Sequence, residues 1–306
     1  MKNYDIIMDM DPGIDDAVAL TLALHNSNLN LKLITTVAGN VSVEKTTINA
    51  LKITNFFNKD IPIAKGASHP LIKKFEDASH VHGESGMDGY NFDKPTNNPI
   101  NMNAVNALYQ TIKNNDKKVI LISTGAFTNI ALLLTQYPDV KSNIEKIVFM
   151  GGSVHSGNMT SVAEFNMFSD PHAGKIMINS GIPLVMVGLD VTKQSLLTND
   201  TLEKIKPLGP VGKMLYGIIS HDFDHSDSGT AVHDANTIFY LLHPEAFQTK
   251  DYWIDVVTEG PALGATVADV RSAYHTDTNV SVCLKEDQVA FNNWILQEIK
   301  KIADNY

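Results

Sequence analysis

Short apolar runs rich in β-branched residues recur through the first two thirds of the chain, at residues 5–8, 31–37, 61–64, 118–123, 146–150 and 183–187. Between them the apolar spacing turns helical. Residues 16–25 place Ala17, Leu20, Ala23 and Leu24 on one face, and 43–57, 105–112 and 130–137 repeat the pattern. Continuous apolar strands alternating with amphipathic helices predict an α/β fold: a mainly parallel sheet covered on both faces. Residues 199–240 read as additional helices, 254–268 as irregular strand or loop, and 288–304 as a final amphipathic helix. No Ser/Gly linker divides the chain, so residues 1–306 are read as a single enlarged domain. The stretch 66–99, rich in Gly, His, Asp and Asn and poor in periodicity, is read as a long irregular insertion of the kind that carries function.

Composition narrows the classes of function. The 306 residues carry a formal charge of −10 without a basic cluster, which argues against nucleic-acid binding. No run of 18 apolar residues exists, the strongest being 182–189, so no spanning helix is expected. The opening residues reach Asp5 and Asp9 too early for a signal-peptide core, and the expected location is cytoplasmic. The lone cysteine, Cys283, sits in a strand-like alternation and reads as a packing residue.

Ligands of open parallel sheets collect at the carboxyl ends of the strands. There the chain places Asp9, Asp11, Asp15 and Asp16 after the first run and Asn40 after the second. Thr124 follows the fourth run, and Asn158, Glu164 and Asn166 follow the fifth. Four carboxylates within eight residues repel one another and call for a counter-charge. Pro12 holds Asp11 extended, Gly13 permits a tight turn, and Asp15 and Asp16 fall at a helix start, where Asp15 would cap the helix and Asp16 would be a first-turn acid. Oxygen donors without Cys or paired His suit a hard cation, Ca²⁺ or Mg²⁺. Asp234, in Ala231-Val232-His233-Asp234-Ala235, is the best further ligand, although it too could be a helix cap.

The string Asp9-x-Asp11-x-x-x-Asp15-Asp16-Ala17-x-Ala19 resembles the opening signature of the inosine-uridine preferring nucleoside hydrolases, which cleave ribonucleosides to ribose and free base. Ala38-Gly39-Asn40, His82-Gly83-Glu84-Ser85-Gly86, Ser123-Thr124-Gly125, Met150-Gly151-Gly152, Ala163-Glu164-Phe165-Asn166 and His233-Asp234 extend the likeness over roughly residues 4–300. The resemblance implies a Rossmann-like nucleoside hydrolase fold and one Ca²⁺ per subunit. Asp11, Asp16, the Thr124 carbonyl and Asp234 would hold the ion, and a water in its shell would be the nucleophile, with Asp11 as general base. It further implies that Asp15, Asn40, Asn158, Glu164 and Asn166 bind ribose, that Met150 and Phe165 pack by the sugar or base, and that His233 is the general acid, with His82 near the base. Family members are commonly dimers or tetramers, so a homodimer or homotetramer is expected. The stretch 216–225 departs from the family pattern: it is polar and rich in His and Asp where aromatic residues are expected, which leaves base preference open and makes His221 and His225 either base contacts or surface residues.

Two other readings remain at this stage. Asp9-x-Asp11 could serve a haloacid-dehalogenase-like phosphatase, although Pro12-Gly13 and the Asp15-Asp16 pair do not suit one. A protein that binds nucleoside or ribose without turnover would keep the same pocket.

Overall fold

The computed structural model describes residues 3–79, 83–221 and 226–306. Each apolar run seen in the sequence becomes a strand of one eight-stranded sheet. In chain order the elements begin β1 (Tyr4–Met10), α1 (Ile14–His25), β2 (Leu29–Thr36), α2 (Val43–Phe56), β3 (Ile63–Lys65), α3 (Ala104–Lys113), β4 (Val119–Ser123) and α4 (Thr128–Gln136). There follow β5 (Ile144–Met150), α5 (Phe165–Ser169), α6 (Pro171–Ile178), β6 (Leu184–Val187) and α7 (Leu189–Thr192). The remainder comprises α8 (Asn199–Ile205), α9 (Gly209–Ile219), α10 (Ala235–Leu242), β7 (Phe247–Tyr252), β8 (Ile254–Val256), β9 (Thr266–Ala268), β10 (Val280–Glu286) and α11 (Gln288–Ala303).

The sheet order is β3-β2-β1-β4-β5-β6-β10-β7, parallel throughout except for the antiparallel pair of β7 with β10. Alternation along β1 shows how both faces are filled. Ile6, Met8 and Met10 pack with α1, α2, α9, α10 and α11 on one side, while Ile7 packs with α3, α4 and α6 on the other. The chain winds outward from β1 to β3, then returns to β4 on the other flank of β1 and winds the opposite way. The β1–β4 junction is therefore the point at which the connections reverse direction, and their carboxyl ends frame the crevice where ligands of such sheets bind.

Several details differ from the sequence reading. Strand β7 was not expected, because only its end residues Phe247 and Tyr252 are buried and the four between them are exposed and polar. It lies at the sheet edge, where one apolar face is not required. The stretch 254–268 resolves into the β8–β9 hairpin, which stands apart from the main sheet. Cys283 lies buried on β10, as its alternation implied, and burial pushes its thiol up. The insertion 66–99 contributes no strand among its described residues. No described helix is long and apolar enough to cross a membrane.

Candidate active site

The turn that leaves β1 is built by Asp11-Pro12-Gly13. Gly13 is the N-cap of α1 in an extended conformation, and its N–H donates to Asp16 Oδ2 at 3.0 Å. Asp16 thus closes the capping box; Asp15 lies in the first turn and is not the cap that the sequence implied. The second Asp16 oxygen accepts the Thr124 hydroxyl at 2.8 Å, which joins the ends of β1 and β4. Asp11 is fully buried. Its Oδ2 accepts the Asn40 N–H at 2.6 Å, its Oδ1 has no hydrogen-bond partner, and the Asn40 amide donates to the Asp11 carbonyl at 3.1 Å and to Asp16 Oδ2 at 3.3 Å. This fit leaves no room beside Asp11: a Cβ on Gly39 would lie 2.0 Å from Asp11 Oδ2.

Asp234 stands at the N-cap of α10 without making a side-chain cap bond, so the capping reading fails for it. Its carboxylate is turned to the α1 turn, where one oxygen each of Asp15, Asp16 and Asp234 lies within 4.8 Å of the others. Burial, then the charges of neighbouring aspartates, hold the carboxyls of Asp11 and Asp234 well above the usual range and push that of Asp16 up to about 7. Asp15 supplies the largest of these charges on Asp16 and Asp234, and Asp16 the largest on Asp11. Buried carboxylates in such numbers, an unpartnered Asp11 oxygen and the nearby Thr124 carbonyl form a hard-oxygen donor set that fits a divalent cation.

Asp9 does not belong to this group. Its Oδ1 accepts the Thr35 hydroxyl at 2.5 Å and the Asn129 amide at 2.8 Å, below the crevice, and burial pushes its carboxyl up to about 7. The four-carboxylate cluster read along the chain is thus divided: three of its members face the crevice together with Asp234, and the fourth ties β1 to β2 and α4.

A second set of polar groups faces the end of β5. Glu164 caps α5, with Oε1 accepting the Asn166 N–H at 2.8 Å and Oε2 accepting those of Gly152 and Met167, both at 2.9 Å. Burial raises this carboxyl to about 7 against those three donors. The Asn166 amide donates to the Thr124 carbonyl at 2.7 Å and to the Met150 carbonyl at 3.2 Å, so it bridges the two groups of residues. A carbonyl has a second lone pair, and the bond from Asn166 is compatible with a cation on the other. Met150 is buried beside Asn166. Asn158 is exposed and accepts the half-buried Phe165 N–H at 3.0 Å.

His233 is half-buried directly before Asp234, with Nδ1 at 2.7 Å from Thr192 Oγ1. His221 is exposed at the end of α9, and its charge acts on Asp88. His82 and His225 lie outside the described residues. Two residues that sequence reasoning passed over enter here, both on α7. Thr192 touches His233, and the buried Asp190 accepts the N–H groups of Val154 at 2.7 Å and His155 at 3.1 Å. The 189–192 stretch looks like apolar chain with routine polar interruptions, so only the fold reveals these roles.

The family model of the inosine-uridine preferring nucleoside hydrolases matches residues 6–293. The chain belongs to this family. It is 44% identical over 294 residues to the non-specific ribonucleoside hydrolase RihC of Salmonella typhimurium, covering 95% of this chain and 96% of that protein. The RihC of Klebsiella pneumoniae is likewise 44% identical, over 96% of this chain and 97% of its own. Among solved structures, the purine-preferring ribonucleoside hydrolase from Gardnerella vaginalis superposes with a TM-score of 0.92 at 30% identity, over 99% of this chain and 100% of its own. The enzyme is therefore a ribonucleoside hydrolase acting on N-glycosyl bonds, and the phosphatase reading is overturned.

Proposed function

We propose that this nucleoside hydrolase uses Ca²⁺ to cleave both purine and pyrimidine ribonucleosides to ribose and free base in nucleoside salvage. The observation that carries the metal is the packing of Asp15, Asp16 and Asp234 oxygens within 4.8 Å of one another, with the buried Asp11 close enough for the charges of Asp16 and Asp15 to act on it. Asp11, Asp16, Asp234 and the Thr124 carbonyl would hold the ion. When bound, the cation supplies Lewis acidity that makes a water easier to deprotonate. Asp11 would take that water's proton as general base. Asp15 and Asn40, with Asn158, Glu164 and Asn166 across the crevice, grip the ribose hydroxyls, and their negative charge and dipoles favour an oxocarbenium-like sugar at the transition state. Met150 and Phe165 pack by the sugar or base, and His82 takes part near the base. His233 Nε2 gives a proton to the leaving base as the glycosidic electron pair moves onto it; the water oxygen bonds to the anomeric carbon from the opposite side, which inverts it. The breadth of base preference rests on the likeness to relatives named non-specific. A cytoplasmic homodimer or homotetramer is part of the same reading.

The test is ribose release from inosine, uridine, cytidine and adenosine by protein stripped of metal and then restored with Ca²⁺. Release on all four that depends on Ca²⁺ is expected, and Asp11→Ala reduces it by about 10²–10⁴-fold. Nucleoside binding without release would return the chain to the binding-protein reading. Restoration by Mg²⁺ but not Ca²⁺ would overturn the choice of ion.

A further inference from the structure

The acid proposed above is a histidine, and an imidazole is an effective acid only when its ring is held with one nitrogen at the leaving group. From the contact on its other nitrogen we infer that Thr192 is the positioning residue of His233. This inference rests on the reading of His233 as the general acid.

Thr192 ends α7, the short helix that follows β6, and is completely buried. Its N–H is bonded to the Gly188 carbonyl at 3.1 Å, and its β-branched side chain has few rotamers open to it in a helix. The hydroxyl oxygen is therefore fixed by the sheet, 41 residues before the ring it meets at 2.7 Å. A contact on Nδ1 places Nε2 at the far edge of the imidazole.

The chemistry of the partner matters as much as its position. Protonated His233 carries N–H groups on both nitrogens. As Nε2 gives its proton to the base, Nδ1 keeps its own and donates it to Thr192 Oγ1 before and after the transfer, so the orienting bond survives the whole step. A carboxylate in the same place would bring a further negative charge beside Asp234, in a cluster already crowded with them. A neutral hydroxyl orients the ring without that penalty. The contrast is present in the same helix, where Asp190 accepts His155 Nδ1 at 2.7 Å and His155 is 74% exposed, outside the groups that converge on the crevice.

The experiment measures kcat and KM of the Ca²⁺-loaded enzyme on inosine, whose base needs a proton to leave, and on 4-nitrophenyl riboside, whose phenolate leaves without one. Thr192→Val, which keeps the shape and removes the hydroxyl, lowers kcat on inosine by about tenfold more than on the phenyl riboside, with KM little changed. Thr192→Ser restores most of the inosine rate. Equal losses on both substrates, an undiminished inosine rate in Thr192→Val, or a Ser variant no better than Val would each overturn the inference, the last because it marks a packing defect. His233→Ala run in parallel separates the two readings: if it shows no difference between the substrates, the acid reading itself fails and takes this inference with it.

Discussion

Asp11 shows how tightly one side chain can be specified by its neighbours. One oxygen is held by the Asn40 N–H, the other is buried and unpartnered, and Gly39 and Gly125 press close enough that any Cβ would meet it, at 2.0 Å and 2.8 Å respectively. Gly39→Ala should therefore push the carboxylate aside while leaving the sheet intact. An ångström of displacement costs about a hundredfold in rate, so kcat on inosine is expected to fall by about that factor while far-ultraviolet circular dichroism stays unchanged. At this scale much of the site was legible. Asp11 and Asp16 sit in turn and helix-start chemistry that a sequence displays directly, whereas the cap read at Asp15 falls to Gly13 with Asp16, and Asn40 is held by Asp11 from 29 residues away. Thr192 was not, because nothing local distinguishes a hydroxyl that holds a histidine from one that satisfies its own helix. The separation of Asp9 from its neighbours was equally hidden, since it depends on Thr35 and Asn129, far along the chain.

Among the elements, α7 has an influence out of proportion to its four residues. One end holds the 153–158 loop through Asp190, which accepts the Ser153 hydroxyl at 3.1 Å and the Val154 and His155 N–H groups; the other holds His233. That loop carries Asn158, which in turn accepts the Phe165 N–H. Asp190→Asn replaces two accepting oxygens with one and turns an amide donor toward N–H groups. A hydrogen bond to a charged group is worth about 1.5–3 kcal/mol, so KM for inosine should rise about tenfold or more with a smaller change in kcat, measured by steady-state kinetics. A kcat loss larger than the KM rise would show that the loop serves the chemical step instead. Helices this short lack the repeats from which periodicity is read. Strand β7 escaped for a different reason, its exposed polar centre, whereas β4 and β6 are nearly continuous apolar runs and β1, β2 and β5 contain apolar stretches that declared themselves.

The whole molecule carries carboxyls that ionise reluctantly. Glu164 is raised by burial from 4.5 to about 7, and Glu286, whose Oε2 is buried without a partner, from 4.5 to about 8. In the fold each holds its proton to higher pH than in the unfolded chain. Their contribution to stability is therefore full below about 4.5 and is lost as pH rises through about 7 and 8. Urea midpoints of the metal-free protein should fall between pH 5 and pH 8.5. Glu286→Gln, which cannot ionise, should flatten that decline; an unchanged slope would show that Glu286 ionises in the fold over the same pH range as in the unfolded chain. Adding Ca²⁺ at a hundred times its dissociation constant should raise stability at pH 8 by about 2.7 kcal/mol. Fold class was readable at this scale, because both sheet faces imprint apolar runs and helical spacing on the sequence. The order of strands was not, since β10 reaches β6 across most of a hundred residues.

That last pairing has a consequence for how the protein is made. Ser281 and Val282 of β10 lie beside Val185 and Met186 of β6, inside the sheet, although they are synthesised long after β6 and after β7, which lies outside them. Until residues 280–286 emerge from the ribosome, the Leu-Val-Met-Val edge of β6 is an unpaired, apolar template for strand addition by other chains. The nascent chain is thus most exposed to aggregation in the interval between its sixth parallel strand and its last, and a chaperone that serves it would be needed in that window.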